Sequence, residues 1–545
     1  MEKKKQKKAM ITGLILGILF FTVQPILSDV VVVHPKKKAL TLNGSFSIGP
    51  SYTGIDHPEN TTSIYEGWEN KLNIFVMGRT PKTNITGSGI FIYPYEKDSK
   101  DKIEIESIYL NLTTNKYGLT FGNSINNVSA MSVSSLRLRG VRLETSVLDT
   151  RVEVFGGRSN KADKTTGIYD QYNAGIRISR ETNRSYALGM TFLSSLDDKG
   201  SISDSSGAIR PLDNSVLGVD LNYSPRKDLD LTAEYLKSWC DENKLDDKKA
   251  KKDDAYQIQA KGIFKDVYLK AGYKRTGSAY YTAGNPYLLT DYQGTELKAE
   301  YPFKDIYTIS AGYETYKDNL DKSDSFTKKT NVLDLKFKLV PNPDWGAAPL
   351  NLPSLSLGYR QRFITSNEAE VETGKKRYDD QRKTISLGLT GKQKAFNWNL
   401  NIYKTYLTDD SKYSVGYQKP DDREFLTSSL SLSSQLLENR LDLMANLSDR
   451  IFENKTTGEK EDETFYSVLR LRYKLIPQKL NLKTHYNYTA NVDDGLKPKE
   501  TEMGLGLDYY LSTRQSFSFA CKQKRNREEK KYQANTVEVK YTRVF

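Results

Sequence analysis

The sequence predicts an all-β chain whose antiparallel strands run up and down and close into a barrel of about 26 strands, within a range of about 22 to 28. Three observations predict it. Oily and polar residues alternate with a period of two over many segments. Many of these segments reach about ten residues, near the ~9–11 that cross a bilayer at a tilt and beyond the ~5–6 usual for strands in soluble folds. Short and long links between them also alternate. A helix cannot keep two such faces apart, because it repeats every ~3.6 residues.

Composition agrees. Hydrophobic residues make up 37% of the 545, mean hydropathy is −0.62, and no long apolar run follows residue 28, so no membrane-spanning helix is available. Tyr is abundant at 36 and Pro scarce at 17. Many tyrosines on long two-faced strands suit a barrel whose outside meets lipid, with aromatic girdles at the two interfaces. The two cysteines, Cys240 and Cys521, fall in different strands and make no disulfide framework.

The chain begins Glu2-Lys-Lys-Lys-Gln-Lys-Lys8, followed by an apolar run from Met10 to about Val23, then Pro25 and Ser28-Asp29. This reads as a secretory signal peptide over residues 1–28. The alternative, an uncleaved anchor, is disfavoured because the run of about 14 residues is short against the ~20 that span a bilayer. Ile26 is larger than the residue a signal peptidase prefers, which leaves the cleavage point open. Residues 29–38 form a short periplasmic leader, and 39–545 a single barrel.

The strands follow in order. Leu40, Leu42, Phe46 and Ile48 share one face of the first. Segments around Leu72–Val76 and Gly89–Tyr93 follow; 70–95 and 135–158 are the least regular stretches. Ser107–Thr113 carries Ile108, Leu110 and Leu112 outward, Asn115-Lys116 turn the chain, and Tyr117, Leu119 and Phe121 point outward on the return. Leu217, Val219, Leu221 and Tyr223 alternate with Asp220 and Asn222. Leu229–Tyr235, Tyr256–Ala260, Val267–Tyr273, Phe396–Ile402 and Met503–Tyr509 repeat the pattern. In the last stretch Val537, Val539, Tyr541 and Phe545 oppose Glu538, Lys540 and Thr542, and Arg543 interrupts the apolar face.

Short links fall at Thr114–Lys116, Pro225–Asp228, Phe264–Asp266, Pro302–Asp305, Glu438-Asn439, Ile476–Gln478 and Ser512–Arg514. Long polar links lie between them: 159–169, 195–213, 240–254, 277–290, 318–328, 364–381, 408–424, 453–463, 491–499 and 526–533. Pro341–Pro353, with Trp345, is a medium link on the short side and is expected to form a rim feature. Barrels in outer membranes have short periplasmic turns and longer outer loops, which puts both termini in the periplasm. Residues 124–134 are the least charged outer link and the best candidate to fold into the lumen.

The closing strand, ending on Phe545, resembles the terminal strand of bacterial outer-membrane β-barrels, and the 107–122 hairpin resembles the strand–turn–strand repeat of general porins. The resemblance implies that Tyr541 and Phe545 form an assembly signal read by the barrel assembly machinery. With no room expected ahead of the first strand for a plug or a polypeptide-transport domain, the chain departs from TonB-dependent receptors and from assembly factors. It is also not expected to carry the periplasmic domain and disulfides of the lipopolysaccharide translocon.

Chemistry of other kinds is weakly signalled. His34, His57 and His485 are the only histidines. They form no ligand cluster, so no metal or cofactor is expected. His485 reads as a lumen-facing polar residue rather than a catalytic one, and an enzyme is not expected. The glycines of Gly118–Gly122 and Gly504–Gly506 sit inside strands, where they allow close packing or bending. Formal charge is +13, and about +9 without residues 1–28. Basic and acidic residues interleave with no basic cluster among stacking aromatics, which argues against a nucleic-acid partner.

The wet face is the informative surface. It carries Glu296, Lys298 and Glu300; Asp334, Lys336 and Lys338; Arg360 and Arg362; Arg470, Arg472 and Lys474; and Asn481, Lys483, His485 and Asn487. The bland reading is a solvated wall that balances its own charge. The sharper one is a ladder that guides anions, since rings of Lys and Arg select them. The leading functional expectation is a porin-like channel for hydrophilic solutes in the outer membrane, with membrane lipid as its surroundings. The alternatives are a polymer outlet resembling exopolysaccharide exporters, or a sheath around a partner protein, as in multihaem electron-conduit porins.

Overall fold

The structure is a computed structural model that describes residues 41–545 apart from 57–65, 81, 96–103, 164–166, 183–184, 203–209, 247, 305, 324–325, 342–351, 367–375, 394–395, 414–421, 459, 492–496 and 528–530. The expected signal peptide, the leader, Leu40, His34, His57 and Trp345 lie outside the described residues.

Among the described residues twenty-six strands form one sheet, each paired antiparallel with its neighbours, from Thr41–Asp56 to Tyr532–Val544. They run from 10 residues (Tyr117–Asn126) to 17 (Lys460–Ile476). The first and last strands pair with each other, Ser45 opposite Val544 and Asp56 opposite Gln533, so the sheet closes. The sequence count of about 26 is met, and the irregular stretches resolve into Gly67–Arg79, Thr83–Tyr95, Leu136–Val147 and Thr150–Asn160. Strand ends take over part of most of the long links: 240–254 shrinks to 242–250, 453–463 to 455–459, 491–499 to 492–496, and 526–533 to 527–531. Cross-strand pairing continues there past the length needed to cross the membrane.

Closure follows from backbone chemistry. In lipid an unpaired N–H or C=O costs several kcal/mol, and only a ring of strands leaves no edge. The seam is completed by Gly44, whose N–H donates to the Phe545 carbonyl at 2.9 Å and whose carbonyl accepts from the Phe545 N–H at 2.8 Å. A Cβ on Gly44 would lie 2.5 Å from the Phe75 carbonyl oxygen and 2.7 Å from Phe545 Cζ, so the terminal ring packs against the bare backbone of Gly44. Two rungs of the seam are missing, at Gly49 and Pro50, between Ile48–Tyr541 and Ser51–Glu538; Pro50 has no N–H to give.

Cross-strand register carries one face around the ring. Leu119 stands opposite Leu143, then come Val154, Ile176, Phe192 and Leu217. Leu143 is 45% exposed and Val154 42%. So much exposed apolar surface in a continuous belt needs lipid against it. The opposite face carries Arg142, Glu153, Arg177 and Asp220 and looks into the ring.

Tight turns close the short-link end. Lys265 and Asp266 both have positive φ, 47° and 69°, as a type I′ hairpin turn demands. Neither is Gly or Asn, which is why this turn lacks the usual hairpin signature. At the same end Leu437, Glu438 and Asn439 all take left-handed φ. A separate two-residue ribbon joins Lys376–Arg377 to Lys412–Tyr413.

Two outcomes test this architecture. Leu143→Arg, in the belt, should destabilise folding into lipid vesicles by about 2–4 kcal/mol, read from urea titration. Gly44→Leu should weaken the seam, lowering the temperature at which the detergent-solubilised barrel loses its compact electrophoretic mobility.

Candidate functional site: the inner wall and its two inward-folded loops

Two long loops, 127–135 and 277–291, turn in and pack on the inner face. Their side chains meet inward-facing strand residues. Met131, Val133 and Tyr280 form one buried cluster with Leu136, Leu138, Phe155, Leu193, Val216, Leu236 and Ala255. Met131, Val133 and Leu193 are 0% exposed. The cause lies in composition: apart from Asp291, neither loop carries a charge, so moving inward desolvates almost no ions.

The loops grip each other through their backbones. The Tyr280 hydroxyl donates to the Met131 carbonyl at 3.0 Å, and the Thr282 hydroxyl to the Ser132 carbonyl at 2.7 Å. The Ser134 N–H donates to the Gly284 carbonyl at 3.0 Å. Burial pushes the Tyr280 and Tyr281 hydroxyls above the ordinary tyrosine range.

The wall holds them in turn. Asn214, fully buried, donates to the Tyr281 carbonyl at 3.0 Å and the Trp239 carbonyl at 3.2 Å, and accepts from the Ala283 N–H at 3.0 Å. The Ala279 N–H donates to Asp253 Oδ2 at 2.8 Å. Ser129 donates to Glu234, which also accepts from Gln257 at 3.0 Å. Loop 318–327 joins from outside: the Ser278 hydroxyl donates to Asp321 at 2.7 Å, which holds that carboxyl below its usual range.

The expectation for 124–134 needs one adjustment, since 124–126 end a strand and the inward turn starts at 127. The second loop was not expected to fold inward. Its signal was the same lack of charge, present in Ser278-Ala-Tyr-Tyr-Thr-Ala-Gly284.

Many charges on this side of the wall are paired, although Lys261 and Lys274 close no ion pair among the described residues. Arg177 grips Asp220 with two bonds of 2.7 and 2.9 Å and also donates to Thr191. Arg142 pairs with Glu153 at 3.0 Å and Glu144 at 2.5 Å. Further round, Lys270 pairs with Glu296, Lys298 with Glu300, and Lys336 with Asp334. Register places Glu296, Lys298, Glu300, Asp334, Lys336, Lys338, Arg360 and Arg362 on this inner face.

The wall between Arg423 and Asn526 differs. Register puts Arg470 opposite His485, Arg472 opposite Lys483 and Lys474 opposite Asn481. A concavity of about 1000 Å³ opens there, with Lys392, Arg470, Arg472, Lys483 and Lys522 among its lining side chains against the carboxylates Asp442 and Glu502. Lys483 is bound to Asp508, and the His485 ring lies 3.0 Å from Glu502. Lys474 reaches the Asn439 carbonyl at 2.6 Å. Arg470, Arg472 and Lys522 have no ion pair among the described residues. Both cysteines are free; Cys240 faces inward and is buried, whereas Cys521 shares the outward face with Val537.

Asn214→Leu should leave the Ala283 N–H and the Tyr281 carbonyl unpaired, at a cost of about 1–3 kcal/mol for each buried group. The expected result is rapid chymotrypsin cleavage in loop 277–291, which the parent resists, with the barrel otherwise intact.

No protein-family model matches the chain, and no curated protein does. Among solved structures the chain is similar to the siderophore receptor PirA from Acinetobacter baumannii, at 11% identity over 93% of this chain and 81% of that one, with a TM-score of 0.43. It is similar to the copper transporter OprC at 9% identity over 94% and 82%, TM-score 0.45. It is also similar to the P pilus usher PapC translocation pore at 9% identity over 93% and 99%, TM-score 0.38. Likenesses this loose carry no weight for ligand or partner. Ring closure, the outward apolar belt and the polar inner wall make this chain an outer-membrane type of β-barrel, with no narrower family shown.

Proposed function

We propose that the protein is an outer-membrane channel that passes hydrophilic solutes through a wide polar lumen. The observation that carries this reading is the asymmetry of the inner wall. Loops 127–135 and 277–291 cover one sector, whereas the concavity at Arg470–Lys522 is lined by strand residues and Asn439 of a short turn. A circular ring of 26 strands measures about 50 Å between opposite backbones, given ~4.8 Å between strands and a tilt of ~40°. The two inward loops, of 9 and 15 residues, occupy only part of such a bore.

Both ends of the barrel strand set, Thr41 and Val544, lie at the short-turn end. In this reading that end faces the periplasm, the long loops face outward, and Tyr541 and Phe545 serve the assembly machinery. The protein is not an enzyme and needs no cofactor.

Reconstitution into planar bilayers tests the proposal. Stepwise conductance is expected from the parent, and larger steps after Ala279–Leu288 is replaced by a short Gly-Ser linker. Silence from both proteins, once folded insertion is verified, would overturn the channel reading and favour a sheath or a plugged polymer outlet.

A further inference from the structure

We infer that the wall around Arg470, Arg472, Lys483 and Lys522 is a binding site for solutes carrying two or more phosphate or carboxylate groups, which names the substrate class of the proposed channel and rests on that reading. Where the inward loops lie, and on to Lys336, the cations Arg142, Arg177, Lys270, Lys298 and Lys336 each hold a carboxylate within 3.3 Å. Past that sector pairs persist at Lys483–Asp508 and Lys524–Glu500, but Arg470, Arg472 and Lys522 close no ion pair among the described residues.

Arg472 stands directly opposite Lys483. Like charges facing across strands destabilise a sheet unless something neutralises them. The nearby acids are engaged: Asp508 holds Lys483, and Glu502 holds His485. Asp442 faces Arg472 in register without closing an ion pair. Arg470, Arg472 and Lys522 therefore enter one concavity without an ion pair, where five cationic side chains stand against the carboxylates Asp442 and Glu502.

The shape suits an extended anion. One cross-strand row runs Arg470, His485, Gly504, Lys522, and the next runs Arg472, Lys483, Gly506, Ala520. Gly506 leaves the floor between the cations low, whereas the His485 ring fills the space that a Cβ on Gly504 would need. Four strands at ~4.8 Å spacing make the patch about 14 Å across. That width exceeds a single phosphate and matches a solute with separated acidic groups. Arginine supplies planar paired donors for either phosphate or carboxylate.

The experiment uses the full barrel with inorganic tripolyphosphate and citrate as probes and maltotriose as the neutral control. Isothermal titration on the detergent-solubilised protein reads binding without requiring conduction; bilayer recording reads block of current. The proposal expects binding and block by at least one anion. The affinity should fall about tenfold or more in Arg470→Gln/Arg472→Gln, since the charged hydrogen bonds to the anion are lost. Lys338→Gln, a lumen charge outside the patch, should leave the affinity within about twofold. Tripolyphosphate alone, citrate alone, or both identify the acidic group. Equal affinity in parent and double variant, or no binding in the parent, would overturn the site. Binding by a barrel that never conducts would leave the site standing and refute the channel.

Discussion

Lipid offers no hydrogen bonds, and this requirement governs the molecule. A chain without long apolar helices crosses a bilayer only if each strand's backbone is paired on both sides. The first and last strands must then meet. Here they meet through Gly44 and Phe545, where the absence of a Cβ lets a terminal aromatic ring lie on the backbone. The missing rungs at Gly49 and Pro50 make this the most weakly bonded stretch of the seam. The belt of Leu, Val, Ile and Phe residues follows from the same requirement, because one face of every strand is committed to lipid.

The other face is free to specialise. Over the N-terminal sector it is partly apolar: Leu136, Leu138, Phe155, Leu193, Val216 and Leu236 turn inward where porous barrels expect water. These residues would be poor lumen walls, and the two uncharged loops cover them. The covered wall matches its charges internally, as Arg177–Asp220 and Arg142–Glu153 show. The sector around Arg470 and Arg472 keeps an excess of cations. The bore thus has a covered side with several closed ion pairs and an open side with an excess of cations.

Much of this was legible in the chain. Alternation as plain as Phe396–Ile402 assigned both strand and face, and the rhythm of turns such as Ile476–Gln478 gave the strand count. The inner charges read off as Arg470, Arg472 and Lys474 do lie on one wall. Their grouping with Lys522 and Lys392 was not legible, because those residues join only through register between strands far apart in sequence. The ends of links such as 453–463 were also misread, since hydrogen bonding extends strands into polar sequence where alternation gives no warning. Inward-facing Leu136 and Leu138 break the rule that apolar residues face lipid, and only a loop from elsewhere explains them.

By itself, then, the sequence determined the strands, their two faces, their up-and-down order and the uncharged character of residues 124–134, because a period of two and the composition of a link are local properties. Tertiary structure alone decided that Tyr280 would meet Met131 across about 150 residues, and which cations would find a carboxylate. Those outcomes depend on the stagger of neighbouring strands once the ring has closed. A one-residue slip there would exchange the inner and outer faces, so lipid on one side and water on the other select the register.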